Sequence, residues 1–396
     1  MVSFQLQHCE ARRQRSSFLN TRLSTLGCYS GLVISLLPMT FSSIHMIALA
    51  REIAFLFSLV LIFLRPGCRD RKYLPVYAFL VWIFISTALN RADINTTFSN
   101  FYPVISGVIF LCALFEERGS KALAATSMIL SVMMLAQFFT TFVQLFPPAN
   151  HGEVTYFFGT RVRISDVLIP MLGLTVLSLG TNQCKGVSRK IIYFLGILSA
   201  LYFMVYEQVM TAFSAIIILV TTIMMARVAS NRLFQQTMGT LLLALCALFV
   251  LSEPVRDSFA WFLEGALGKD VTLNGRTLLW QQGISNLFGW HWLVGNGYAN
   301  GFVFSLPNGF EAMSAHSEYI NMLFRFGAVG MIFLAYTYCV QVRLVRLIGN
   351  SLVRACVLGC ALAIAFTGVS STLYVNVYVY LWVCACLAYP SITSED

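Results

Sequence analysis

Thr237-Met-Gly-Thr-Leu-Leu-Leu-Ala-Leu-Cys-Ala-Leu-Phe-Val-Leu-Ser252 carries no charge at any position, and the polar stretch that opens at Glu253 lasts to residue 315. That contrast decides the fold class. The run is continuously apolar, without the alternation of a barrel strand, and it approaches the ~20 residues a helix needs to cross a hydrocarbon core. The rest of the chain repeats the pattern. Hydrophobic residues make up 58% of the 396 and charged residues 11%, against roughly 25% charged in soluble domains. The chain therefore reads as all-α, a single polytopic membrane domain over residues 1–396.

Twelve spans are expected, at about 26–45, 46–64, 74–90, 98–115, 121–146, 164–181, 190–207, 208–226, 237–252, 316–340, 352–370 and 372–389. The first pair and the last pair are each separated by almost nothing. The basic amino terminus is followed by an apolar stretch that is long, contains Pro38 and lacks a small-residue cleavage site. It reads as a retained first helix rather than a signal peptide.

Orientation follows from the basic residues, because short loops rich in Lys and Arg stay in the cytoplasm. With the amino terminus inside, that side collects Arg12, Arg13, Arg15, Arg22, Arg65, Arg69, Arg71, Lys72, Arg118, Lys121, Lys185, Arg189, Lys190, Arg227, Arg232, Arg343, Arg346 and Arg354, which is 18 of 26. The net charge of +9 is then mostly a topology signal rather than a nucleic-acid footprint. Both termini are expected in the cytoplasm. The loop after the third span, the loop 147–163 and the island 253–315 fall on the far side.

The eleven cysteines lie within spans or on the inner side with no zinc spacing, and read as buried small hydrophobes. There is no Asp-x-Asp pair and no Walker-type phosphate loop; the only adjacent acids are Glu116-Glu117 and Glu395-Asp396. Neither a cofactor nor a metal is expected.

Inside the island, Asn274 has the chemistry of an N-cap, and Trp280, Ile284, Leu287 and Phe288 follow at helical spacing. Thr277, Gln281, Gln282 and Ser285 occupy the opposite face. This predicts a short amphipathic helix on the outer membrane surface, with Trp280 anchored in the interface. Arg276 falls in its first turn, where a guanidinium and free backbone N–H groups together suit a phosphate. Pairing with lipid headgroups or with Glu264 explains Arg276 equally. Gly295-Asn-Gly-Tyr-Ala-Asn-Gly301 lacks the strand-turn-helix setting of a phosphate cradle and reads as a flexible turn.

The order Asn274-Gly-Arg-Thr-x-x-Trp280, then Gly295-Asn-Gly-Tyr298, then His316-Ser-Glu-Tyr319 opening a helix that continues Arg325-Phe-Gly-Ala-Val-Gly330, resembles the O-antigen polymerase and ligase superfamily of bacterial inner membranes. The specific match covers about 60 residues. The resemblance implies a GT-C-like enzyme acting at the periplasmic face on a glycan carried by undecaprenyl diphosphate. It implies two places for diphosphate-binding arginines: Arg276, and Arg161 with Arg163 in the loop Gly159-Thr-Arg-Val-Arg-Ile-Ser-Asp166. A headgroup-facing role is the alternative for that loop pair. It also implies a chain-length regulator as a partner. The chain departs from the family where many members carry Ser-Arg at the outer end of the helix beginning near Gln208; here Val209-Met210 precede Thr211-Ala212, after Glu207.

A neutral imidazole at His316 can take the proton of an attacking sugar hydroxyl, and arginines can stabilise a leaving diphosphate without a metal. Glu318, two positions on, is turned about 200 degrees from His316 in a regular helix. Glu318 and Arg325 are seven apart and share a face, which predicts a supporting polar line into the bundle. The leading expectation is a polymerase. A ligase, using a lipid A core acceptor, and a non-enzymatic transporter are the alternatives.

Overall fold

The computed structural model describes residues 24–38, 41, 44–143, 156–158, 164–181, 186–206, 210–228, 232–258, 275–307, 309, 311–373 and 376–394. It is a helical bundle. In chain order the helices are α1 (Ser24–Leu36), α2 (His45–Leu64), α3 (Leu74–Leu89), α4 (Ile94–Arg118), α5 (Ser120–Phe142), α6 (Ile164–Gly180), α7 (Val187–Tyr206), α8 (Met210–Val228), α9 (Arg232–Leu251), α10 (Glu253–Ser258), α11 (Arg276–Ser285), α12 (His291–Val294), α13 (Glu318–Leu347), α14 (Ser351–Ser370) and α15 (Val377–Ser394). A helix overlaps each expected segment, though α1 ends at Leu36, short of the expected 45, and α15 begins at Val377, after the expected 372. Six of them, α2 to α5, α13 and α14, are long and apolar enough to cross a membrane, α3 counted with the 3-10 turn before it.

Local chemistry sets the ends of these helices. Pro75 in the first turn of α3 gives up only an N–H that would have no helical acceptor. Asp93 caps α4 by accepting from Asn95 and Thr96 N–H, and Asn350 caps α14 through Leu352 and Val353 N–H. The hydrogen bond from the Thr96 hydroxyl is the largest influence holding the Asp93 carboxyl below its ordinary pKa.

The buried centre is α14, which packs on α6, α8, α9 and α13. Small residues allow that density. A Cβ on Gly359 would come within 2.6 Å of Leu219 Cδ1 and 3.3 Å of Leu219 backbone, so α8 and α14 approach nearly backbone to backbone. Some polar side chains pair across the bundle: Arg354 Nε donates to Gln235 Oε1 at 2.9 Å and Trp382 Nε1 to Gln341 Oε1 at 2.8 Å.

The described loops segregate to two ends. At one, Arg65 pairs with Glu117, Lys72 donates to Ser391, and Arg343, Arg346 and Arg354 lie close to the turn 348–350. At the other, Asp93 N–H donates to Ala299 O at 3.0 Å, joining the island to the start of α4, and Tyr378 Oη donates to Leu36 O at 2.7 Å, joining α15 to the end of α1.

The span expected at 316–340 is corrected in extent and in form. Helix α13 starts at Glu318, runs to Leu347, and is broken at Gly327, whose φ of 63° and ψ of −154° belong to no helix. The segment before the break carries Glu318, Asn321 and Arg325 and the segment after it, 328–336, no charge, but that difference does not place the break at Gly327.

Candidate functional site

The island folds onto the N-terminal end of α13 through its tryptophan. Trp280 is 1% exposed, its Nε1–H donates to Ala315 O at 3.1 Å, and the Arg256 guanidinium lies 5.5 Å from its ring centroid. It is therefore a core residue, which corrects its expected role as an anchor in the lipid interface. The buried face of α11 is Thr277, Leu279, Trp280 and Gly283. Thr277, expected on the polar face, is buried, and Phe288, expected on the face toward the membrane surface, is 66% exposed. Gly283 sets this rotation, since a Cβ there would meet Ile320 Cγ2 at 2.6 Å. Gln282 also turns inward, accepting from Ser305 N–H at 3.1 Å beside the two-stranded ribbon of Phe304–Ser305 (β1) and Glu311–Ala312 (β2).

Asn274 lies outside the described residues. The N-cap position of α11 belongs to Gly275, left-handed at φ 82°, and Arg276 is the first helical residue. The Arg276 pKa is lowered from the ordinary arginine value by desolvation, with no charged or hydrogen-bonding neighbour among the described residues to offset it. One turn separates Arg276 from Trp280, so both side chains lie on one side of α11. Arg256, which the sequence reading passed over, is 5% exposed and donates from Nη1 to Val250 O at 2.7 Å. Burial likewise lowers its pKa. Both guanidiniums are thus desolvated, Arg256 over the indole with Glu253 and Asp257 near it and Arg276 one helical turn from Trp280 with no such neighbour, which suits Arg276 to an anion. Only the composition of the island, an arginine just after a long apolar run, could have pointed to Arg256.

His316 lies two residues before α13 rather than within it, and its φ is 48°, the left-handed region rarely occupied by residues with a side chain. Its turn is held from four directions. His316 N–H donates to Ser314 Oγ at 3.2 Å, Ala315 N–H to Asn321 Oδ1 at 3.1 Å, Asn321 Nδ2 to Thr372 Oγ1 at 2.9 Å, and Ser317 Oγ to Gly368 O at 3.4 Å. With Trp280 on Ala315 O, the backbone beneath the imidazole has little freedom, and the ring is half-buried at the rim.

The glycine-rich segment is not the flexible turn it was expected to be. Asn296 and Gly297 N–H donate to Phe324 O and Arg325 O at 2.8 and 2.9 Å, occupying carbonyls that the break in α13 would otherwise leave bare. From α3, Ser86 Oγ reaches Arg325 O at 3.0 Å and Val294 O at 2.6 Å, and Trp82 Nε1 reaches Phe326 O at 3.2 Å. Glycine is required on both sides of this junction: a Cβ on Gly295 would fall 2.2 Å from Arg325 C, and one on Gly327 2.3 Å from Leu293 O.

Glu318 and Arg325 do not form the expected polar line. Both are buried, but among the described residues no ion pair joins them. Glu318 accepts from Leu373 N–H. Arg325 donates to Tyr298 O at 2.7 Å and to Met313 O, with its guanidinium 4.8 Å from the Tyr298 ring. Arg325 is a staple that holds the glycine turn to the ribbon. Arg161, Arg163, Glu207 and Gln208 lie outside the described residues.

The motif pieces quoted from the sequence are therefore one packed unit: α11 on α13 through Trp280, and the Gly295–Tyr298 turn on the Gly327 break. No protein-family model matches the chain, and no curated protein matches it.

Proposed function

We propose that the protein is a membrane glycosyltransferase that polymerises an O-antigen or related surface polysaccharide at the periplasmic face of a bacterial inner membrane. The donor is a glycan on undecaprenyl diphosphate and the acceptor is the sugar end of a second lipid-linked repeat unit. The observation that carries this reading is the docking of α11, which begins at the desolvated Arg276, onto the constrained turn bearing His316 through Trp280, with Arg256 over the same indole. In the reaction the acceptor hydroxyl oxygen attacks the anomeric carbon of the donor. The bond from that carbon to the phosphate oxygen breaks, His316 takes the hydroxyl proton, and undecaprenyl diphosphate leaves with its charge stabilised by Arg276 and Arg256. Arg161 and Arg163 are proposed as further ligands of the same diphosphate. The mechanism calls for no metal.

A ligase would use the same donor site and a lipid A core acceptor. The transporter alternative draws support from the broken helix α13, since interrupted helices build transporter sites. Against it, the carbonyls freed at the break are occupied by Asn296, Gly297, Ser86 and Trp82, so the break offers no open binding site.

The test has two arms. In a deletion strain, loss of a polymerase leaves lipid A core capped with one repeat, loss of a ligase leaves uncapped core with polymer on its carrier, and loss of a transporter traps repeats inside. In single-turnover transfer with purified donor lipid, His316→Ala should slow transfer by about a hundredfold to ten-thousandfold while donor binding persists. Unchanged transfer would remove His316 from the chemistry.

A further inference from the structure

Away from the island, α9 and α13 run antiparallel and leave a cavity of about 670 Å³ between them. Its walls are narrowed to small side chains at Ala244 and Ala247 on α9 and Ala335 on α13, and its outer limit is the ring of Tyr319. At the basic end its mouth is formed by Gln236, Arg343 and Arg346. The α9 wall from Gln236 to Ala247 spans about 16 Å at the helical rise of ~1.5 Å per residue. That is close to the ~15 Å of one leaflet, half the hydrocarbon core. A groove of this length, opening between two membrane helices, suits one acyl chain.

The mouth specifies the other end of the ligand. Arg343 and Arg346 are exposed, and among the described residues neither has an ion-pair partner. Gln236 Oε1 is buried without a hydrogen-bond donor. Two unpaired cations at one end of an apolar groove suit a ligand with an anionic head and an apolar tail. Juxtamembrane arginines attract anionic headgroups of the adjacent leaflet, and the groove beside them gives one acyl chain a place to lie.

We propose that this groove is a binding site for an anionic glycerophospholipid of the leaflet at the basic end, with one acyl chain between α9 and α13 and its phosphate on Arg343 and Arg346. The site is separate from the island and does not depend on the chemistry assigned to His316. Bound there, the lipid fills the gap between α9, which leads into the island, and α13, which carries its docking site.

The experiment is native mass spectrometry of the delipidated full-length protein, titrated in separate runs with dioleoyl phosphatidylglycerol, dioleoyl phosphatidylcholine and undecaprenol. Phosphatidylglycerol should bind about tenfold more tightly than phosphatidylcholine, and R343Q/R346Q should erase that preference. Both arginines are exposed, so this variant keeps the fold. Filling the groove with Ala244→Phe should lower occupancy by phosphatidylglycerol even with the arginines intact. Equal binding of the two phospholipids to the wild type, or an undiminished preference in R343Q/R346Q, would overturn the proposal. Tighter retention of undecaprenol, insensitive to R343Q/R346Q, would overturn it in favour of a channel for a polyprenyl tail.

Discussion

Replacing Gly327 by alanine should undock the glycine turn while leaving the bundle in place. The backbone there, at φ 63° and ψ −154°, lies in a region essentially restricted to glycine, and holding another residue in it costs about 1–3 kcal/mol. The new Cβ would also lie 2.3 Å from Leu293 O and 2.7 Å from Gly295 N. Those are backbone atoms, so relief requires the turn itself to move. Moving it breaks the bonds from Asn296 and Gly297 N–H to α13, each contributing about 1 kcal/mol net. The docked state should lose roughly 3–5 kcal/mol, two for the bonds and the remainder for strain. At ~1.4 kcal/mol per decade, the exchange protection of the Asn296 and Gly297 amides should fall by about two to three and a half orders of magnitude. Hydrogen exchange on protein in nanodiscs measures this directly. Gly289→Ala is the control: its φ is 57° with nothing within 4 Å, so it should carry local strain only and leave those two amides protected. Protection in Gly327→Ala within threefold of wild type would refute the account of the break.

Three further outcomes follow from other parts of the structure. Arg276→Lys keeps the charge but loses planar bidentate contact, so transfer should fall well below wild type at equal protein level; normal polymer from both Arg276→Lys and Arg276→Ala would exclude the residue. Cysteines introduced at Asn274 and Asn150, in a background without the native eleven, should react with an impermeant thiol reagent in intact spheroplasts, whereas labelling only after lysis would reverse the orientation. Trp290 and Trp292, 50% and 46% exposed beside Phe288 and Leu293, should sit in the outer interface. Quenching of the wild type by lipids brominated near the headgroup should drop in W290F/W292F, and an equal response would mean that this edge stays in water.

The segments of the bundle were legible because a helix in lipid must be apolar for most of its length, and runs such as 237–252 or 352–370 leave no other reading. What escaped was everything that depends on which side of a helix meets protein. In α11 the spacing of Trp280, Ile284, Leu287 and Phe288 describes a stripe, but the stripe is shared between buried Trp280 and exposed Phe288. The deciding contact is a glycine, Gly283, which carries no hydrophobic signal. The glycines at 295 and 327 were visible as composition, yet their meaning lies in a contact between residues 32 apart. Arg256 was hidden for a similar reason: only the fold brings it over Trp280. The roles read for His316 and Arg276 came from a resemblance across about 60 residues, and they stay proposals.

The break in α13 also bears on how the chain is assembled. Carbonyls of Phe324, Arg325 and Phe326 have their acceptors filled from residues 82, 86, 296 and 297, all of which leave the ribosome before Gly327 does. The partners are therefore already made when α13 is inserted, and the last of the three elements to arrive closes the junction. A chain truncated before α13 would have every arginine of the island and no surface to mount them on. Formation of the island's packed unit is thereby tied to completion of the helical bundle.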